Sequence, residues 1–96
     1  LLRTSPPLPR LLSDLNAMLA ELTKPGMFAT VSCVRLTPVE YGAAVEFALA
    51  GHLPIFIRRA DGTIEECHNE SLPLGVDPDE SFRSGTTRLH AGDVLV

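Results

Sequence analysis

The chain has 96 residues, of which 45% are hydrophobic, enough for one small packed core and incompatible with wholesale disorder. Eight basic and 12 acidic residues give a net charge of −4, which argues against nucleic-acid binding through phosphate contacts. The sequence predicts no membrane segment, since no apolar run approaches the roughly 20 residues that span a bilayer. Two cysteines, Cys33 and Cys67, are too few for a disulfide scaffold, which favours reduced thiols and a cytoplasmic location.

The first predicted element is an amphipathic helix over residues 8–22. Ser5 is the expected N-cap with Pro6 at the first helical position, and Pro25-Gly26 is expected to end the helix. Apolar residues recur at helical spacing and form one stripe. Its members are Leu8, Leu11, Leu12, Leu15, Met18, Leu19 and Leu22. The polar residues predicted to lie off the stripe are Arg10, Asp14, Asn16 and Glu21.

Two strands are predicted next. Residues 28–36 carry apolar and β-branched side chains on both faces, which is typical of a central strand. Over residues 43–50, the period of two separates two faces of a second strand. One face carries Ala43, Val45, Phe47 and Leu49, and the other carries Ala44, Glu46, Ala48 and Ala50.

The second half of the chain predicts further strands. The runs 53–59 and 63–68 flank Asp61-Gly62, which predicts a β-hairpin closed by a type I′ turn. A loop over 69–80 is followed by strands near 82–89 and over 93–96, joined by a turn at Ala91-Gly92. One helix followed by a mostly antiparallel strand meander predicts an α+β fold, with the helix packed across the sheet.

Most of the reactive side chains favour a structural interpretation. The metal-ligand types lack the paired spacing of a zinc site: Cys33, Cys67, His52, His68 and His90. Seven acidic residues between Asp61 and Glu80 are typical of a solvated hairpin tip and loop, although clustered carboxylates also suit a divalent cation. Arg58 and Arg59 form a small basic pair that is expected at the surface.

His52 is the single residue that most suggests a site. It follows the second strand within Ala50-Gly51-His52-Leu53-Pro54. Gly51 permits a tight turn or the close approach of another backbone, and Pro54 removes one ladder hydrogen bond. A histidine at such a corner either orients a functional site or only makes hydrogen bonds within the fold. The sequence leaves both interpretations open.

The order of the motifs resembles the SpoIIE-like branch of the PPM-type, metal-dependent protein serine/threonine phosphatases. The resemblance covers roughly residues 6–96, and each motif by itself is weak. The motifs are, in chain order, the helix, Met27-Phe28-Ala29-Thr30, Ala50-Gly51-His52 with Pro54, Asp61-Gly62, Leu72-Pro73-Leu74-Gly75-Val76, and Leu89 to Val96.

That resemblance implies an α-β-β-α sandwich, of which this chain supplies one helix and the central part of the sheets. It also implies hydrolysis of phosphoserine or phosphothreonine on a bacterial regulatory protein of the anti-anti-sigma type. The implied cofactors are two Mn²⁺ or Mg²⁺ ions held by aspartates, which activate a water and clamp the phosphoryl oxygens.

The chain departs from the family pattern at the metal ligands. In the family one ligand precedes the helix and another follows the last strand in an Asp-Gly pair. Asp61-Gly62 is not that pair, because it lies in the hairpin, and Asp93 matches a turn rather than a ligand. No metal ligand or catalytic residue is therefore transferred, and Gly51 and His52 transfer only as a structural motif near the site.

The sequence thus predicts a partial phosphatase domain over 1–96, inactive by itself because it lacks both metal-binding segments. Unpaired edges at 28–36 and 93–96 predict self-association. The first alternative is a non-catalytic interaction module that binds a regulatory protein. The second is an enzyme centred on His52.

Overall fold

In the part of the chain that the structure describes, one helix is followed by six antiparallel strands, which confirms the predicted α+β class. The structure is a computed structural model that describes residues 6–22 and 24–96. The elements are α1 (Leu8–Leu22), β1 (Val31–Val39), β2 (Gly42–Ala50), β3 (Ile55–Arg58), β4 (Ile64–Cys67), β5 (Gly85–His90) and β6 (Val94–Leu95).

The strands form two three-stranded sheets. Sheet I has the order β1-β2-β5 and sheet II the order β4-β3-β6. The chain therefore does not run through one continuous meander, because β5 returns to β2 and β6 returns to β3. Through these returns, strands that are far apart in the sequence become neighbours in the same sheet.

Strand β2 contributes to two separate hydrophobic clusters through its two faces. Ala48 and Ala50 pack with Leu8 and Leu12 of α1, whereas Phe47 and Leu49 pack with sheet II. The sheet II partners are Ile55, Ile57 and Cys67. The small alanine side chains on one face of β2 leave room for the helix, and the large side chains on the other face fill the space between the sheets. The predicted division of the two faces is therefore confirmed. The described residues thus form three layers, helix, sheet I and sheet II.

Helix α1 has the predicted bounds, but the inner face differs from the predicted stripe. Leu8 and Leu12 are buried as expected, whereas Met18 is 56% exposed and Leu22 is 78% exposed. Asn16 was predicted off the stripe and is instead 1% exposed on the inner face. It stands four residues after Leu12, so it shares the buried face, and its amide finds partners there.

The predicted N-terminal cap is only partly tested. Ser5 lies outside the described residues. Pro6 precedes the helix rather than occupying its first position, because the helix begins at Leu8 and the Leu11 N–H donates to the Pro7 carbonyl at 3.1 Å. At the other end, a turn at Pro25-Gly26 follows the helix, with Gly26 at φ 89°.

The first strand differs from its prediction in position and place. It spans Val31–Val39 instead of 28–36, and within the described residues it pairs only with β2, so it is an edge strand rather than a central one. Val34 and Leu36 remain 38% and 52% exposed, since sheet II covers β2 but leaves this edge open. Apolar residues on both faces were therefore not proof of a central position.

Two turns also differ from expectation. The Asp61-Gly62 hairpin forms, but Asp61 is absent from the non-glycine residues with positive φ among the described part of the chain, so the turn is not type I′. The Asp61 carboxylate instead accepts hydrogen bonds from the Thr63 N–H and hydroxyl. The tight β1–β2 turn at Glu40-Tyr41 was not predicted, and there Tyr41 takes φ 66°.

Candidate functional site

The first feature of the candidate site is the corner formed by Gly51 and His52 at the end of β2. The Gly51 N–H donates to the Ser71 carbonyl at 3.2 Å. A Cβ atom on Gly51 would lie 2.5 Å from the Pro73 side chain, and Gly51 has φ 63°. Glycine is required here on both grounds, because the backbone is left-handed and Pro73 leaves no room. Two of the motifs noted in the sequence are thus in direct contact.

A third motif joins the same end of the fold. Ala29 and Leu74 form an antiparallel bridge with N···O distances of 3.0 and 2.8 Å. A Cβ on Gly75 would lie 3.2 Å from the Met27 carbonyl oxygen. The segment before β1 therefore packs on the Leu72–Val76 loop, which in turn packs on Gly51.

Polar contacts fix the segment that leads into this loop. The Leu49 N–H donates to Asn69 Oδ1 at 3.0 Å, and the Ser71 hydroxyl donates to the Leu49 carbonyl. The Asn69 amide nitrogen donates to the Arg83 carbonyl at 2.9 Å. Residues 69–71 therefore continue the hydrogen bonding of β2 beyond the end of β5 and hold the loop beside the corner.

Helix α1 reaches the same loop through Asn16. The Asn16 Nδ2 donates to the Asp77 carbonyl at 2.8 Å, and the Gly75 N–H donates to Asn16 Oδ1 at 2.7 Å. Both ends of the amide are therefore used, as a buried polar group requires. The helix is tied to the loop by side-chain to backbone bonds and not by apolar packing alone.

His52 itself is exposed, and its Nδ1 lies 2.9 Å from the Leu53 carbonyl oxygen. That contact is local, because Leu53 is the next residue in the chain. No group of three or more His, Cys, Asp or Glu side chains suited to a metal ion occurs among residues 6–22 and 24–96. The described residues alone therefore do not form a ligand set for Mn²⁺ or Mg²⁺.

The last motif lies at the opposite end of sheet I. Because His90 pairs with Gly42 at the start of β2, the turn at Ala91-Gly92-Asp93 is remote from Gly51. The Asp93 side chain is 3% exposed and accepts hydrogen bonds from the N–H groups of His90 and Ala60, at 2.8 and 3.0 Å. These two hydrogen bonds close the turn between β5 and β6.

Arg59 is the partner that sequence reasoning missed. Its guanidinium donates to Asp93 Oδ2 at 2.8 Å, to the Arg88 carbonyl at 2.6 Å and to the Glu65 carboxylate. The His90 N–H, followed by the Arg59 guanidinium, lowers the pKa of Asp93 to about 2. Hydrogen bonding to Glu65 and then to Asp93 raises the pKa of Arg59. Arg59 therefore belongs to a partly buried cluster with Asp93 and Glu65, whereas the sequence predicted a surface pair with Arg58.

The other candidate residues are scattered. Cys33 packs under α1 and Cys67 lies between the sheets, both as free thiols, and burial raises the pKa of each. Thiols in such surroundings are inert. In the acidic stretch, Glu80 accepts a hydrogen bond from the Leu72 N–H at 2.8 Å, and hydrogen bonds from Thr63 lower the pKa of Asp61.

A groove of about 360 Å³ crosses sheet I beyond the helix. The Arg35–Glu46 ion pair, at 3.3 Å, forms its floor with Thr37, Thr86 and Arg88. The groove contains none of the residues that the sequence singled out around Gly51. It is therefore separate from the corner.

Strand β6 runs toward the corner. The Val96 N–H donates to the Phe56 carbonyl at 2.8 Å and the Phe56 N–H donates to the Val96 carbonyl at 3.0 Å. Phe56 lies two residues after Pro54, so the C-terminal end of β6 lies beside the segment that leaves His52. The topology thus directs β6 to the same end of the molecule as the Gly51–Pro73 contact.

Comparison with protein families matches residues 1–96 to the family described as Stage II sporulation protein E (SpoIIE). Comparisons with curated proteins and with solved structures find no match. Among the described residues, no helix has the length and apolar character needed to cross a membrane.

Proposed function

Because the chain belongs to the Stage II sporulation protein E (SpoIIE) family, a family of phosphatase-related domains, we propose that it is part of a metal-dependent protein serine/threonine phosphatase. The substrate we propose is a phosphorylated bacterial regulatory protein of the anti-anti-sigma type, and the reaction is hydrolysis of its phosphoserine or phosphothreonine. The observation that carries the proposal is the family match over residues 1–96.

The arrangement of the motifs supports this proposal. Three of them, around Ala29, Gly51 and Leu74, meet at one end of the fold, and β6 runs toward that end. The family pattern expects a metal-binding Asp-Gly just after this last strand. Such a pair would lie beside the Gly51–His52 corner.

The cofactors belong to the same proposal. The described residues do not fit a two-metal centre, because they contain no suitable group of three ligands, and Asp93 is already engaged by Arg59. We therefore assign the Mn²⁺ or Mg²⁺ ligands to segments outside these 96 residues and derive no catalytic step from the metals. On this account the 96-residue chain is inactive by itself.

Gly51 and His52 have a supporting role in this proposal. Gly51 allows Pro73 to approach, and this contact fixes where the chain turns from β2 toward β3. His52 stands exposed at that turn, four residues before Phe56, which is hydrogen-bonded to Val96. Neither residue is assigned a role in the chemistry.

The test is to translate the coding sequence on both sides of this segment. The proposal expects an open frame with an Asp-Gly upstream of Leu1 and another directly after Val96. Stop codons or unrelated sequence on both sides would overturn it, because no metal centre would then form.

One observation favours a second function, that of a non-catalytic interaction module. Among the described residues β1 pairs on one side only, and Val34 and Leu36 beside its free edge are partly exposed. Such an edge accepts a strand from another chain. Under this alternative the domain binds a regulatory protein or a second copy of itself through β1.

A further inference from the structure

Asn16 is the one polar residue among the buried residues of α1. Leucine precedes it at the equivalent positions one and two turns earlier, and both leucines are almost fully buried. An apolar side chain would satisfy the packing of this face equally well. The amide therefore has to be explained by what it binds.

Its two partners are backbone groups of one short loop. The Asn16 amide accepts from the Gly75 N–H and donates to the Asp77 carbonyl, across 59 and 61 residues of sequence. Together the two hydrogen bonds fix the position of the loop along the helix axis and its orientation relative to the helix. Apolar contacts do not define such a register, because they are non-directional.

The same loop is clamped from two other sides. Leu74 is hydrogen-bonded to Ala29, and Pro73 fills the space above Gly51. A shift of Gly75 would therefore displace Pro73, and the displacement of Pro73 would move the backbone of Gly51. The path from the helix to the corner consists of Asn16, Gly75, Pro73 and Gly51.

We infer that Asn16 is a positioning residue, which holds the Leu74–Asp77 segment and thereby keeps the Gly51–His52 corner in place. The importance of this role for catalysis rests on the proposed phosphatase function. The positioning itself does not, and it is measured without any activity.

The test compares amide hydrogen exchange, resolved by NMR, in the 96-residue chain and in two variants. Asn16→Leu keeps the γ-branched shape of the side chain, with a somewhat larger volume, but removes both hydrogen bonds. We expect exchange at Gly75 and Gly51 to rise about tenfold, the effect of losing one typical hydrogen bond. The amides in the centre of β2 should keep their protection. Leu12→Ala, one turn earlier on the same face, is the control and should raise exchange at all slow amides together.

The second variant, Asn16→Asp, provides the rescue. At acidic pH its protonated carboxyl can both accept and donate, whereas the ionised form at neutral pH can only accept. The ionisable groups on the elements packed around it are mainly acidic and favour the neutral form. These are Glu46 of β2, paired with Arg35 of β1, and Asp77, Asp79 and Glu80 of the loop. Protection at Gly75 and Gly51 should return on acidification, relative to the unsubstituted chain at the same pH.

Two results would overturn the inference. In the first, Asn16→Leu leaves Gly51 unchanged while Gly75 exchanges faster, which confines the effect to the loop. In the second, Asn16→Leu raises exchange everywhere, as Leu12→Ala does, and acidification of Asn16→Asp restores nothing. If Asn16→Leu does not fold, the acid recovery of Asn16→Asp alone decides. Absence of phosphatase activity in any longer chain would leave these results intact.

Discussion

Arg59 and Asp93 stand 34 residues apart and form an ion pair of 2.8 Å at the edge where the two sheets meet. Arg59 directly follows β3 of sheet II, and its guanidinium also donates to the Arg88 carbonyl in β5 of sheet I. Asp93 closes the turn between β5 and β6. The pair therefore connects the sheets, and its charge state should influence the stability of the whole fold.

Protonation of Asp93 should destabilise the protein in acid. Its pKa is lowered from 3.8 to about 2, so the stabilisation is fully present above the ordinary value and is lost as the pH falls toward 2. Thermal unfolding followed by circular dichroism from neutral pH to pH ~2 should show this loss. Asp93→Asn should lower the melting temperature at neutral pH. It should also reduce the further fall in melting temperature on acidification, which is the acid limb of the stability profile. An unchanged acid limb in that variant would contradict the assignment.

A methyl group at Gly51 should displace Pro73. Gly51→Ala places a Cβ 2.5 Å from the Pro73 ring in a left-handed backbone, so both strain and overlap destabilise the fold. Gly62→Ala is the matched control, since Gly62 has φ 91° but no atom within 4 Å of the added Cβ. The control should lose about 1–2 kcal/mol from backbone strain, and Gly51→Ala should lose more. Denaturant unfolding measures both, and equal losses would show that the Pro73 contact is unimportant.

His52 should be dispensable for folding. The ring is exposed and contacts the carbonyl of its neighbour Leu53, so His52→Ala should change the free energy of unfolding by less than about 0.5 kcal/mol. His68→Ala, a second exposed histidine, is the control. Urea denaturation tests the expectation. Loss of folding would contradict this prediction, whereas loss of an activity in a folded variant would favour the enzyme centred on His52.

The free edge of β1 should promote self-association. Leu36→Lys places a charge beside this edge, where Leu36 is 52% exposed, and should shift the protein toward monomer. Leu53→Lys is the control, because Leu53 is 77% exposed but lies outside the strands. Sedimentation velocity over a range of concentrations measures the effect. Equal association of the two variants, or a strictly monomeric unsubstituted chain, would contradict the prediction.

Local sequence patterns predicted where the helix and strands lie better than they predicted which strands pair with one another. The leucine spacing located α1, and the period of two over β2 separated its two buried faces, because both depend on neighbouring residues alone. The edge position of β1 depends on which strands cover it, and the composition of residues 28–36 carries no information about that. The type I′ turn was wrong because Asp61 bonds to Thr63 and leaves Gly62 as the left-handed residue.

The site residues that the sequence did not reveal are those that form hydrogen bonds with residues far away in the sequence. Asn16 could have been found from its spacing, since it continues the series of Leu8 and Leu12 at intervals of four. Arg59 offered no such sign, because its partners Arg88 and Asp93 are brought to it only by the return of β5 and β6. Gly51 was noted from its motif, but its neighbour Pro73 was not predictable from either segment.

The proposed phosphatase function is best tested by following the release of phosphate from a phosphoserine-bearing regulatory protein in the presence of Mn²⁺. The assay compares the 96-residue chain with a longer product of the same reading frame. We expect the longer chain to release phosphate in a reaction that chelation of the metal abolishes, and we expect no release by the 96 residues alone. Metal-dependent turnover by the 96-residue chain, or its absence from a folded longer chain that carries both Asp-Gly motifs, would contradict it.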